Sequence, residues 1–257
     1  MNAREKAEEL QSRKKSGPPI ASMTAYDYPG ARLLDKAGID LILVGDSLGM
    51  VVLGFPDTTH VTMADMVHHT AAAARGCERA LLVADLPIAS YETVEDARRN
   101  AAALVEAGAE AVKLEGGVRQ ADKVAAIVAD GTPVLGHLGM LPQRVLEEGG
   151  YRKKGKSPQE AEALWEGVSA LQDAGCFGIV LESVIPEVAV ELTARLDIPT
   201  IGIGCGEGSC DGEIAVITDV VGSYPWFVPP FATPRADVAG EITRAVEEYV
   251  AACRDAR

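Results

Sequence analysis

Aromatic residues make up only 5% of this 257-residue chain. That scarcity excludes a core assembled from large rings and leaves Ala, Val, Leu and Ile, the usual fillers of a parallel sheet covered by helices. Positive charge is short as well: 24 Lys and Arg stand against 38 Asp and Glu, a formal net charge of −14. A nucleic-acid binder needs a basic face to displace counterions from phosphates, so that class is excluded. Cysteines number five (Cys77, Cys176, Cys205, Cys210 and Cys253), an odd, scattered set with no CxxC pair. This argues against a disulfide framework and for a reducing compartment, the cytoplasm. No apolar run approaches the length of a membrane span, and MNAREKAEELQSRKK has no apolar segment for secretion, so neither membrane insertion nor export is expected. A nucleotide loop is missing too: GIGCGEGSCDG fails the GxGxxG pattern because position 209 is serine, and no GK[ST] follows. That segment reads as a tight turn after a strand. With no base near Cys205 or Cys210 in sequence, a cysteine nucleophile is not expected.

What the chain does contain is one event repeated. LILVGD, ALLVAD, AVKLE and GIVLE are short apolar runs that each deliver an acid at the end, Asp46, Asp85, Glu115 and Glu182, and PVLGH delivers His137. Between these strands lie helical segments with their own punctuation. Pro29 opens one helix and Gly38 closes it; Thr62 caps the helix beginning ADMVHH; Thr93 caps VEDARRNAAALVEAG. Residues 3 to 15 form a charged helix with a thin stripe of Ala7 and Leu10, expected to be peripheral. Residues 47 to 62 read as a long loop and PQRVLEEGGYRKKGKS as a polar, glycine-rich connection. A helix is expected from Arg119 to Ala129, a long one over PQEAEALWEGVSALQDAG, a seventh strand at PTIGIG and an eighth at residues 214 to 219. With no linker, repeat or composition shift, residues 1–257 read as a single α/β domain, a (β/α)8 TIM barrel with a short N-terminal helix; an open doubly wound sheet is the alternative.

In such a barrel the active site lies at the C-terminal ends of the strands, where Asp46, Asp85, Lys113, Glu115, His137 and Glu182 would converge. Lys113 and Glu115 are two apart, so both can face one ligand. Several carboxylates in one space repel unless a cation sits among them, and an oxygen-rich site that keeps waters suits Mg²⁺. Lys113 could hold a carboxylate or oxyanion, or serve only as an ion-pair partner of Glu115 or Asp85. His137 could donate to a substrate oxygen or rest on a backbone carbonyl. A metal role for His68 and His69, side by side on a helix, is not expected.

Taken together, MTAYDYP, LVGDSLGMVVLG, VTMADM, ADLPIASY, AVKLEGG, GHLGMLPQ, GGY, IVLES and PTIGIG resemble the ketopantoate hydroxymethyltransferases over Met23 to about Ala232. The resemblance implies a metal-dependent barrel of the phosphoenolpyruvate mutase and isocitrate lyase superfamily. It implies transfer of a hydroxymethyl group from 5,10-methylenetetrahydrofolate to 3-methyl-2-oxobutanoate, giving 2-dehydropantoate for pantothenate and coenzyme A synthesis, in a homodecamer or other large homo-oligomer. By the same resemblance Asp46, Asp85 and Glu115 serve the Mg²⁺ site, and Ser47, Lys113 and His137, with Asp46 and Asp85, contact the 2-oxo acid. Glu182 is the base. The chemistry is coherent: chelation of the 2-oxo acid acidifies the adjacent C–H, a carboxylate removes that proton, and the Mg-bound enolate attacks the one-carbon unit. The chain departs from the family at GFPDTTHVT, which replaces the usual Leu-Pro with Thr59-His60, at Glu213 and at Thr218. The rival readings are a folate-independent, Mg²⁺-dependent lyase or aldolase acting on another 2-oxo acid, and a non-catalytic barrel.

Overall fold

A computed structural model describes residues 1–256. The chain divides into two compact units, Met1–Ile214 and Ala215–Arg257. It opens with α1 (Ala3–Ser16), whose first turn is closed reciprocally: the Asn2 side chain accepts from the Glu5 backbone, and the Glu5 carboxylate accepts from the Asn2 backbone. There follow β1 (Ile20–Thr24), α2 (Tyr28–Ala37), β2 (Leu41–Val44), α3 (Leu48–Val51), α4 (Met63–Ala74), β3 (Leu81–Asp85), α5 (Val94–Glu106) and β4 (Ala111–Glu115). Then come α6 (Ala121–Ala129), β5 (Val134–Gly139), α7 (Pro158–Asp173), β6 (Gly178–Glu182), α8 (Pro186–Arg195), β7 (Thr200–Ile203) and β8 (Gly212–Ala215). Successive strands pair in parallel, and the order β1 to β8 closes into a barrel, as expected from the alternation of strand and helix. The punctuation also holds: Pro29 stands in the first turn of α2 and Gly38 ends it in a left-handed turn, and Thr62 and Thr93 accept from Asp65 and Asp96; the cap of α2 is Asp27.

Strand side chains alternate, and one alternate set fills the barrel. Leu41, Leu43, Leu81, Val83, Ala111, Leu135, Val180 and Ile201 belong to one buried cluster. Continuing the same parity, the next inward positions are Asp85, Lys113 with Glu115, His137 and Glu182. The polar set is thus the last layer of the barrel interior.

Three local expectations are corrected. First, α1 is not peripheral: Ala7 and Leu10 are 2% exposed and belong to the barrel cluster. Lys6 Nζ donates to Ala80 O at 3.0 Å and Glu110 at 2.8 Å, Arg13 pairs with Asp40 at 2.8 Å and Lys14 with Asp211 at 2.8 Å. Each of those partners immediately precedes a strand, so α1 lies across the N-terminal mouth of the barrel as a stopper. Second, residues 47–62 contain α3 and a 3-10 turn at Thr58–His60, not only loop. Third, the eighth strand lies at Gly212–Ala215 rather than 214–219, and Ile217–Val221 is a helix, α9. The reason is close approach to β1: a Cβ on Gly212 would sit 2.4 Å from Ile20 O, so the closing strand must run where the glycine is.

In the second unit, α9 ends at Gly222 in a left-handed turn (φ 65°). An 18-residue helix, α10 (Val238–Asp255), follows, capped by Asp237. None of its residues is buried; Ile242, Val246 and Tyr249 lie on its surface. No helix among the described residues is long and apolar enough to cross a membrane.

Candidate active site

The C-terminal rim of the barrel is built by strand register. Asp85 of β3 stands opposite Lys113 of β4, Glu115 of β4 opposite His137 of β5, and Gly139 of β5 opposite Glu182 of β6. Each strand offset by one pair brings the next charged side chain alongside, so a chain of contacts runs around the rim. Lys113 Nζ lies 2.7 and 2.6 Å from the two Asp85 oxygens and 4.0 Å from Glu115 Oε1. His137 Nδ1 lies 3.4 Å from Glu115 Oε1, and Nε2 lies 3.2 Å from Glu182 Oε2. These last two are ion-pair distances, but neither ring nitrogen is aligned for a hydrogen bond, and Glu115 Oε1 also lacks one.

Gly139 makes the Glu182 end possible. It sits at φ 101°, and a Cβ there would be 2.1 Å from Glu182 O; without it, Met140 N reaches that oxygen at 2.8 Å. Directly after Glu182, Ser183 adopts a left-handed conformation (φ 51°), as does Ala89 (φ 62°) after β3. Non-glycine residues held this way cost on the order of 1–3 kcal/mol, and such strain collects at functional sites.

Gln143 carries no charge, and reading charges along the sequence passes over it, although it stands in the motif GHLGMLPQ. It is 3% exposed and sits in the 3-10 turn Pro142–Arg144 beyond β5. Its Nε2 donates to Asp46 Oδ2 at 2.8 Å and Leu86 O at 2.9 Å, its Oε1 accepts from the Tyr91 hydroxyl at 2.5 Å, and its backbone N donates to Glu115 Oε2 at 3.2 Å. One residue thereby fixes the orientation of two carboxylates, and Tyr91 fixes the orientation of its amide. Ser47, placed beside Asp46 by the turn into α3, has its hydroxyl 2.9 Å from that of Tyr26, another residue the charge pattern does not single out.

Electrostatics separates these groups. Burial pushes the Asp46 carboxyl well above the ordinary range, and repulsion from Asp85 and Glu115 adds to it. Burial also raises Asp85, against the pull of Lys113. Burial would lower Lys113, but Asp85, Glu115 and Asp46 hold its ammonium above the usual lysine range. Glu115 is held below the carboxylate range despite burial, chiefly by His137 and Lys113. Burial and Lys113 oppose a charge on His137, yet Glu115 and Glu182 prevail and push it up to about 9. At neutral pH the histidine is a cation.

The rim therefore sets four carboxylates against two cations; with all four ionised, two negative charges lack a partner, the cost that pushes Asp46 and Asp85 up. A divalent cation would balance them, and the buried Glu115 Oε1 without a hydrogen bond is an oxygen of the kind such an ion takes. Among the described residues no three His, Cys, Asp or Glu side chains are gathered into a preformed metal cage. The donors present are carboxylate oxygens, the kind a hard cation such as Mg²⁺ takes. Beside the rim, a cavity of about 830 Å³ is lined by Tyr91, Glu115, Gln143, Leu138, Leu141 and Val118, among others. Its size suits a small-molecule ligand.

Known proteins resemble the chain in sequence and in shape. The model of the ketopantoate hydroxymethyltransferase family matches residues 4–257. A 3-methyl-2-oxobutanoate hydroxymethyltransferase of Ignicoccus hospitalis is 53% identical over 242 residues, 94% of this chain and 91% of that protein. Among solved structures, phosphoenolpyruvate phosphomutase of Streptomyces platensis subsp. rosaceus superposes with a TM-score of 0.65 at 15% identity, covering 98% of this chain and 88% of that one. A phosphonopyruvate hydrolase in complex with oxalate and Mg²⁺ superposes with a TM-score of 0.64 at 16% identity, covering 99% and 88%. The barrel has the fold of the phosphoenolpyruvate mutase and isocitrate lyase superfamily.

Proposed function

This chain belongs to the ketopantoate hydroxymethyltransferase family, and from that membership we propose that it transfers a hydroxymethyl group from 5,10-methylenetetrahydrofolate to 3-methyl-2-oxobutanoate, giving 2-dehydropantoate. The observation that carries the proposal is the rim itself, where five residues from four consecutive strands stand within 4.0 Å of a neighbour and, with the buried Asp46, four carboxylates face two cations.

Asp46, Asp85 and Glu115 would hold Mg²⁺. Bound there, the ion would supply Lewis acidity that makes the C–H beside the keto group more acidic. The residues of the chain do the rest. Lys113, charged and buried, holds the developing oxyanion, and Ser47 donates to the substrate's oxygens. Glu182 Oε2 takes the proton from the carbon beside the keto group, and His137 Nε2, 3.2 Å away, orients that carboxylate and can donate to a substrate oxygen. Gln143 keeps Asp46 and Glu115 aimed inward. The cavity of about 830 Å³ gives the larger, folate reactant room beside the rim. Residues 1–257 as one functional domain, a large homo-oligomer and a cytoplasmic location complete the proposal on the family resemblance.

The test is turnover by purified protein with Mg²⁺ and a panel of 2-oxo acids, with and without methylenetetrahydrofolate, the products identified by mass. Formation of 2-dehydropantoate only with the folate is the expected result. Turnover of another 2-oxo acid without folate would replace the proposal with a lyase or aldolase.

A further inference from the structure

The connection from β7 to β8 differs from most others in the barrel: residues 204–211 run between the strands as turns and bends. They carry two cysteines, Cys205 and Cys210, which the chemistry above leaves unused. Both pack over the same spot of β7. A Cβ on Gly202 would lie 3.0 Å from Cys210 Sγ and 3.6 Å from Cys205 Cβ, so the two thiols share the space left by the missing side chain. That same point is 3.4 Å from Cys210 Cβ, so the Cβ atoms of both cysteines lie within 3.6 Å of it.

Their surroundings differ. Cys205 is 2% exposed, and its Sγ reaches Leu181 O at 3.1 Å. Cys210 is half-buried and lines a second cavity of about 430 Å³, together with Lys14, Thr193, Ser209 and Asp211. A small oxidant therefore meets Cys210 first.

We propose that Cys205 and Cys210 form a reversible intrachain disulfide site that reacts with low-molecular-weight disulfides of the glutathione type. The Cys210 thiolate attacks one sulfur of the oxidant, forming a mixed disulfide and releasing one small thiolate. Cys205 gives its proton to that thiolate and attacks Cys210 Sγ, expelling the second small thiolate, which takes from solvent the proton that Cys210 released on ionising. Two protein thiols are oxidised and one small disulfide is reduced to two thiols. Access favours this order: Cys210 lines the cavity, whereas Cys205 is buried with its S–H on Leu181 O. The bridge would staple the segment that covers β7. It would also remove the S–H donor from Leu181 O, one residue before Glu182.

The folded full-length protein is incubated with oxidised glutathione, acid-quenched, alkylated and digested, and each cysteine is assigned by mass. The expected result is loss of two of the five thiols, a peptide linking Cys205 to Cys210, and full recovery on reduction. In Cys205→Ala the reaction should stop at one glutathione adduct on Cys210, which also shows that the variant still presents a folded, reactive site. Five alkylated cysteines in the treated wild type, a persistent adduct on Cys210 in the wild type, or a link that involves Cys77, Cys176 or Cys253 would each overturn the proposal.

Discussion

The two mouths of the barrel carry similar residues and opposite accounting. At the N-terminal mouth, among the described side chains, each buried or half-buried cation of α1 has its own carboxylate: Lys6 with Glu110, Arg13 with Asp40, Lys14 with Asp211. At the C-terminal mouth Asp46, Asp85, Glu115 and Glu182 share Lys113 and His137. Matched charges lower the energy of one arrangement and have nothing left to offer a ligand. Unmatched, desolvated charges raise the energy of the free protein and are relieved by a cation or a charged substrate, which is the behaviour of a site. The lesson is that charge count at each end of the barrel, rather than charge itself, separates structure from chemistry.

The comparison can be broken most sharply at Lys113. Replacing it with Met leaves Asp85 buried without its cation, which costs roughly 3–5 kcal/mol in the metal-free protein. It should also lower kcat at least about 10³-fold, while Mg²⁺ still binds in calorimetry. Unchanged kinetics would reduce this lysine to a structural partner like those at the other mouth.

Glu182→Gln removes a base without disturbing the shape of the rim. Wild-type protein with Mg²⁺ should wash deuterium from D₂O into 3-methyl-2-oxobutanoate without folate, and the variant should do so about 10²–10⁴-fold more slowly. Exchange at the wild-type rate in Glu182→Gln, followed by NMR, would assign the proton to another group.

His137 sharpens the contrast through pH. Its folded value, about 9, lies above its ordinary 6.5. The stabilisation it provides in the metal-free protein is therefore fully present below about pH 6.5 and disappears as pH rises through about 9, on the order of 3 kcal/mol in all. Denaturant titrations across pH 6–10 should show that slope in the wild type and not in His137→Gln.

The smallest effect belongs to the matched mouth. Lys6→Met should cost roughly 1–3 kcal/mol of stability, because Ala80 O and Glu110 lose a donor, and leave kcat per folded molecule unchanged. A fall in kcat at constant folded fraction would show that the stopper and the rim are not independent.

Much of this was legible in the chain. Strand alternation is local, so Asp85, Lys113, Glu115, His137 and Glu182 could be placed on one rim from parity and strand ends alone. Helix caps were equally readable, since Thr62 and Thr93 act within three residues. What depended on distant partners was not. Gln143 matters only because its turn folds back over Asp46, 97 residues earlier. The stripe of Ala7 and Leu10 was too thin to reveal burial that the closed barrel creates, and the eighth strand is positioned by the fit of Gly212 against Ile20. The helix Val238–Asp255 drew no expectation, although its cap and amphipathic spacing were there to read.

The stopper also sets an order of assembly. Lys6 can find Glu110 only 104 positions on, but Lys14 must wait for Asp211, 197 positions away, and Ile20 for the same residue to close the sheet. The additional loop entropy is small, about 0.6 kcal/mol for a near doubling of length, so what governs this step is time on the ribosome. During synthesis the first helix is held at one end and free at the other until the last strand emerges. Within the barrel it is made before any strand and fully latched only with the last one, which leaves the apolar lower mouth of the growing barrel open to solvent and to chaperones while the strands are made.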